Sequence, residues 1–178
     1  MKSGSMMRRE TYWMCSRSWT KRKPLFIDTS PLLLLLVGTY KPEMIGKARR
    51  LNDYKPIHFN ILLQFLAQRR IFITPGVLAE VANLADHTAN GKFFKEFVEV
   101  NSDALKKMEE HYVHKNNILE KSEFARIGYT GTSILAAAEE KDGEVLTSEY
   151  PLYSRCKKLG LDATHMDQLK ARAEAFKT

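Results

Sequence analysis

Cysteine is scarce in this sequence: Cys15 and Cys156 are the only two among 178 residues, and no C-x-x-C pair occurs. That scarcity excludes a disulfide framework and a thiolate zinc site, and it fits a reducing compartment, so a cytoplasmic location is expected. Long apolar runs are also lacking. The most conspicuous, Leu32 to Val37, falls far short of the roughly 20 residues that a membrane-spanning helix needs. It lies well inside the chain and no small-residue cleavage pattern accompanies it, so it is not a signal sequence either. There is no internal repeat and no low-complexity tract. Gly46-Lys47 is followed by Ala48, where a phosphate-binding P-loop needs Ser or Thr for Mg²⁺, and the preceding glycine is too far away. Asp28 with Ser30 lacks the second Asp of a DxD-type phosphatase. His111 and His114 stand three apart without further ligands, and read as a solvent-facing or core pair rather than a metal site.

What the chain does have is positive charge. Lys and Arg number 28 against 21 Asp and Glu, a formal net charge of +7, and the sequence pI is about 9.4. Such a balance favours phosphate-rich partners by Coulomb attraction and counterion release. The length suits one domain with additions. Residues 1–24 form a basic extension with seven Lys or Arg against one acid, and 1–5, "MKSGS", read as a vector-derived remnant. Two readings of the extension compete: a basic arm whose Tyr12, Trp13 and Trp19 stack on bases, or a segment packed on the domain through its tryptophans. Lys21, Arg22 and Lys23 at its end are the candidate nucleic-acid contacts, and residues 25–178 are the domain proper.

Along the domain, strand and helix signals alternate. "PLFID" is a short apolar run ending on an acid, after which Thr29 or Ser30 can cap a helix with Pro31 in its first turn. Amphipathic pieces follow at 43–50 and 57–69, the latter with Ile57, Ile61, Leu62, Phe65 and Leu66 at helical spacing. "RIFIT" reads as a buried strand, and "PGVLAEVANLAD" as a helix with Val77, Leu78, Val81 and Leu84 on one face. The stretch 91–111 reads as helical, 112–121 is ambiguous, and 122–140 is helical with a break at Gly128 and Gly131. "EVLTS" is a strand, "YPLYSRCKKLG" a helix closed by Gly160, "LDAT" a further strand and "HMDQLKARAEAF" a terminal helix. The pattern predicts an α/β fold: a parallel β-sheet flanked by helices on both faces, three layers in a Rossmann-like arrangement.

In such a fold the loops at the carboxyl ends of the strands converge. Three of those ends carry an acid at or just past the strand, Asp28, Glu80 and Glu149, far enough apart in sequence that only folding brings them together. Clustered carboxylates repel, so a site built from them calls for a divalent cation. Hard oxygen ligands select Mg²⁺ or Mn²⁺, ions that work on phosphate. A metal-dependent nuclease is the reading that follows.

Three stretches resemble the motifs of the PIN-domain ribonuclease family. "FIDTSPLLLLL" resembles the first, a strand ending in Asp followed by Thr or Ser; "ITPGVLAEVANL" the second, with an acid inside the next helix; and "VLTSEYPLY" the last, a strand running into Thr, one residue, an acid and a short helix. The resemblance covers residues 25–165. It implies a metal-dependent endoribonuclease in which Asp28 holds Mg²⁺ or Mn²⁺ and Glu80 and Glu149 bind it directly or through water, with RNA as substrate. It also implies partners of the kind seen in the family, an inhibitory antitoxin protein or a second copy in a homodimer. Thr29 or Thr147 would steady a ligand by a hydrogen bond. The family places one more acid directly after a Thr at the start of a helix. Here "YTGTSILAAAEE" matches the flanks but has Gly131 at that position, a lost ligand that implies weaker metal binding and impaired turnover. Thr132 is one register step away and could recruit a metal-bound water.

"IGYTGTSI" also satisfies the I-G-x-x-G-x-x-I pattern of the KH module, whose GXXG loop clamps a nucleic-acid backbone. In that alternative Gly128 to Gly131 bind RNA without catalysis. Against it, Tyr129 and Thr130 carry no positive charge, and the three acids go unexplained. A third reading has Gly131 relieving crowding where a helix bends.

Overall fold

The computed structural model describes residues 22–48, 50–89 and 94–175, with 86–89 described by backbone alone. The readings placed on Tyr12, Trp13, Cys15, Trp19, Lys21 and Phe176 lie outside the described residues. Among the described residues, five strands, β1 (Leu25–Ile27), β2 (Ile71–Ile73), β3 (Glu109–Glu110), β4 (Glu144–Thr147) and β5 (Asp162–His165), form one sheet in the order β3-β2-β1-β4-β5. All neighbours are parallel, with Leu25 opposite Ile71 and Glu144, and Ile27 opposite Leu146. Strands β1 and β2 are buried along their whole length. They are continuous apolar runs because a parallel sheet covered by helices has no wet face.

Among the described residues, eight α-helices surround the sheet: α1 (Thr29–Tyr40), α2 (Pro56–Leu66), α3 (Pro75–Ala89), α4 (Phe94–Lys107), α5 (Lys115–Leu119), α6 (Phe124–Lys141), α7 (Tyr150–Lys158) and α8 (Met166–Ala175). Helix α1 packs against α2, α3 and α4, while α6 packs against α5 and α7, and both α1 and α6 touch the sheet. The expected α/β architecture with covering helices on both faces is therefore present. Leu32 to Val37 are all buried. This run is the central helix of the core, and its lack of a polar stripe reflects neighbours on every side. Gly38 extends that packing: a Cβ there would fall 2.4 Å from the Phe59 ring of α2.

Several local expectations are corrected. Helix α1 is capped by Asp28, whose Oδ1 accepts from the Thr29 backbone N–H at 2.7 Å, and not by Thr29 or Ser30. A carboxylate does this as well as a hydroxyl and carries the charge that favours a helix N-terminus. Among the described residues of 43–50, the one helical piece is a short 3₁₀ turn at Pro42–Met44. The segment read as helical to 111 ends at Lys107 and gives way to β3, two exposed glutamates that complete the sheet edge. Only Gly128 breaks α6, at φ 68° and ψ −176°, which a residue with a Cβ rarely adopts, whereas Gly131 lies within the helix. The chain runs outward from β1 to β3, then returns to place β4 on the other side of β1. The crevice between β1 and β4 is the topological switch point where such sheets bind ligands.

Candidate functional site

The site grows from the last residues of β1 and β4. The Asp28 N–H continues the sheet by donating to Leu146 O at 2.9 Å, and its carboxylate then turns to cap α1. Oδ2 accepts from Thr147 Oγ1 at 2.5 Å, and that same hydroxyl oxygen accepts the Glu149 N–H at 2.9 Å. Thr147 is fully buried and so ties the two acidic loops together. Glu80 sits in the second turn of α3. Thr29 Oγ1 donates to its Oε2 at 2.8 Å and Thr130 Oγ1 to its Oε1 at 2.6 Å, which fixes the carboxylate from α1 and α6 at once. Thr29 thus touches two acids, Asp28 through its N–H and Glu80 through its hydroxyl.

Asp28, Glu80 and Glu149 line one cavity of about 280 Å³, together with Thr29, Ser30, Thr130, Gly131 and two arginines, Arg50 and Arg126. Asp28 is only 5% exposed, while Glu80 and Glu149 are open to solvent. Burial pushes the Asp28 carboxyl up to about 6; the Thr147 and Thr29 hydrogen bonds pull it back, and the charges of Glu149 and Glu80 add to the rise. None of the three carboxylates forms an ion pair with a Lys or Arg among the described residues.

The chemistry of the donor set suits a divalent cation. Each oxygen of Asp28 and Glu80 accepts one hydrogen bond and keeps a second lone pair. Among the described residues, no three His, Cys, Asp or Glu side chains are close enough to enclose one ion by themselves. The set therefore fits a hydrated ion held by one or two carboxylates and water, which is how Mg²⁺ is commonly bound.

The remaining candidates fall as follows. Gly131 is on the cavity wall, and a Cβ there would meet Ile127 Cβ at 3.2 Å. Thr132 does not face the cavity: it is fully buried and its hydroxyl donates to Gly128 O at 2.6 Å. With about 100° of rotation per helical residue, Thr130 and Gly131 look into the site while Thr132 turns to the core. Tyr129, Thr130 and Gly131 form the start of the helix after the Gly128 break, so "GYTG" is not an open loop. Lys23 pairs with Asp142 and Asp162 at the amino ends of β4 and β5, the opposite end of the sheet from Asp28. Arg22 neighbours it there, and Lys21 lies outside the described residues. His111 pairs with Glu140, and His114 caps α5. Cys156 is buried, its thiol pushed up to about 12 by desolvation, and is chemically quiet.

Sequence reasoning missed Arg50 and Arg126. A lone arginine in a loop carries no positional signal, although Arg126 lies one turn ahead of the "GYTG" stretch that marks the wall. No helix among the described residues is long and apolar enough to cross a membrane. No family model and no curated protein matches the sequence. Among solved structures, the chain is similar to a PilT N-terminus domain protein from the hyperthermophilic archaeon Sulfolobus solfataricus P2. That likeness has a TM-score of 0.40 and 13% identity, and covers 84% of this chain and 92% of that one. It is also similar to a domain of a functionally unknown protein from Methanocaldococcus jannaschii DSM 2661, with a TM-score of 0.39 and 19% identity, covering 80% of this chain and 90% of that one.

Proposed function

We propose that this chain is a metal-dependent endoribonuclease of the PIN type, with its activity reduced by Gly131. The observation that carries the reading is the convergence of Asp28, Glu80 and Glu149 on one polar cavity at the sheet's switch point, with no Lys or Arg among the described residues paired to any of them. Asp28, Glu80 and Glu149 would hold Mg²⁺ or Mn²⁺ directly or through water. Such an ion, when bound, lowers the pKa of water and polarises a phosphate for in-line attack.

The rest of the machinery belongs to the chain. Thr147 orients the Asp28 carboxylate and the Glu149 backbone together, so the two loops cannot drift apart without losing two hydrogen bonds. Thr29 and Thr130 hold Glu80 in one rotamer, the kind of support whose removal typically weakens metal binding about 10–100-fold. Gly131 lines the cavity, and the family resemblance would put a fourth carboxylate at this position. RNA is the proposed substrate. An antitoxin partner, a homodimer and a cytoplasmic setting belong to the same proposal through the family resemblance. Against the KH-type alternative stands the helical backbone of Tyr129 to Gly131, where an open loop would be needed.

The test is RNA cleavage with Mn²⁺ and with EDTA, for this protein beside its Gly131→Asp variant. The new Cβ meets Ile127 Cβ at 3.2 Å, so Ile127 has to yield by a few tenths of an ångström. Metal-dependent cutting by the variant, well above that of the parent, supports the reading. If neither protein cuts RNA under any metal condition, the acids are structural and the reading fails.

A further inference from the structure

Among the described residues, two arginines on the wall of the acidic cavity have no side-chain partner. Arg50 comes from the loop ahead of α2 and Arg126 from the first turn of α6, and both are exposed. Elsewhere in the described residues three arginines close carboxylate pairs, Arg69 with Glu144, Arg70 with Glu109 and Arg155 with Glu123, whereas Arg22 and Arg172, far from the cavity, do not. Among the described residues, Arg50 and Arg126 make no such pair and no side-chain hydrogen bond, although three carboxylates line the same cavity. Their planar donor forks are therefore free for an anion presented at the mouth.

The Arg126 turn is braced for that use. Glu123 O accepts the N–H groups of Arg126 and Ile127, both at 2.9 Å, and the Glu123 carboxylate is gripped by Arg155 of α7, the helix that begins after Glu149. The Gly128 break then separates this turn from the helix that carries Thr130 and Gly131, so both pieces reach the cavity wall. Overall charge gives the folded part little help. Residues 1–24 carry seven of the 28 Lys and Arg and one of the 21 acids, which leaves 21 against 20 in residues 25–178. Near-neutrality means that attraction for phosphate near the acids has to come from local cations, and Lys23 is engaged at the far end of the sheet.

We propose that Arg50 and Arg126 are the phosphate contacts of this site, each gripping a phosphodiester of a single-stranded RNA next to the one presented to the acids. Bidentate guanidinium–phosphate pairs supply geometry as well as charge. The proposal deepens the nuclease reading and rests on it for the identity of the polyanion.

The experiment is the salt dependence of binding of a short labelled single-stranded RNA, followed by fluorescence anisotropy in EDTA, where no cleavage intervenes. The full chain, Arg50→Gln/Arg126→Gln and the control Arg172→Gln are compared. Each phosphate contact to a single strand contributes about 0.7 to the slope of log Kobs against log salt, so the double variant should lose about 1.4 from the slope. Arg172 is exposed on α8, away from the cavity, and its variant keeps the parent slope. Both cavity arginines being exposed and unpaired, the double variant melts as the parent does. An unchanged slope in the double variant, or an equal loss in Arg172→Gln, overturns the assignment even in a protein that cuts RNA with Mn²⁺. A slope lowered in the double variant alone upholds the arginines, and if that protein never cuts RNA the nuclease reading falls by itself.

Discussion

Replacing Asp28 by Asn should stabilise the metal-free protein at neutral pH, even though it removes the central acid of the site. In the folded chain the carboxyl is raised from 3.8 to about 6, chiefly by burial. A folded value above the unfolded one contributes stability that is fully present below pH 3.8 and lost as the pH rises through about 6. At 1.36 kcal/mol per pKa unit, the ionised group costs the folded state about 3 kcal/mol above that window. Asparagine carries no charge there. Its carbonyl can still accept the Thr29 N–H, but the Thr147 hydroxyl loses its carboxylate acceptor, a cost of about 1 kcal/mol. The net gain is about 2 kcal/mol, or roughly 4–8 °C in Tm for a chain of this size. The assay is thermal denaturation in EDTA across pH 4 to 8 for both proteins. The expected gap is widest above pH 6 and closes towards pH 4, and Mn²⁺ should raise the melting of the parent but not of the variant. A variant that melts below the parent at pH 7.5 would refute the reasoning, because it would mean that the buried charge is already compensated within the protein.

Protons and a divalent cation compete for the same carboxylate. Mn²⁺ affinity measured by calorimetry should be flat above pH 6 and fall about tenfold per pH unit below it, and a flat profile through pH 5 would remove Asp28 from the ligand set. In the core, Gly38→Ala places a Cβ against the Phe59 ring and should destabilise the protein by about 1–3 kcal/mol in urea unfolding, whereas unchanged stability would show that α1 and α2 have room to separate.

Much of the acidic site was legible before folding was considered. An acid closing an apolar strand is costly unless something compensates it, so Asp28 stood out in "PLFID", and strand–turn–helix punctuation by Pro75 and Pro151 located Glu80 and Glu149. Helix phase was not legible. Thr130 and Thr132 look equivalent in "YTGTS", and only the break at Gly128 decides that the first reaches Glu80 and the second turns into the core. Strand β3 escaped because two glutamates at a sheet edge carry neither alternation nor apolar character.

Sequence proximity also misled. Lys23 is five residues from Asp28, but an extended chain covers roughly 3.3 Å per residue, so β1 carries the two to opposite ends of the sheet, roughly 16 Å apart. Arg50 and Arg126 show the converse, 76 residues apart and yet on one cavity wall. The sequence by itself determined the fold class, the apolar central helix and the three acids, because these depend on local periodicity and on the cost of burying charge. Only the tertiary structure decided which hydroxyls hold those acids and which cations face them. Those pairings join side chains from different elements, and their distances are set by how the helices pack across the sheet and by no local preference of the chain.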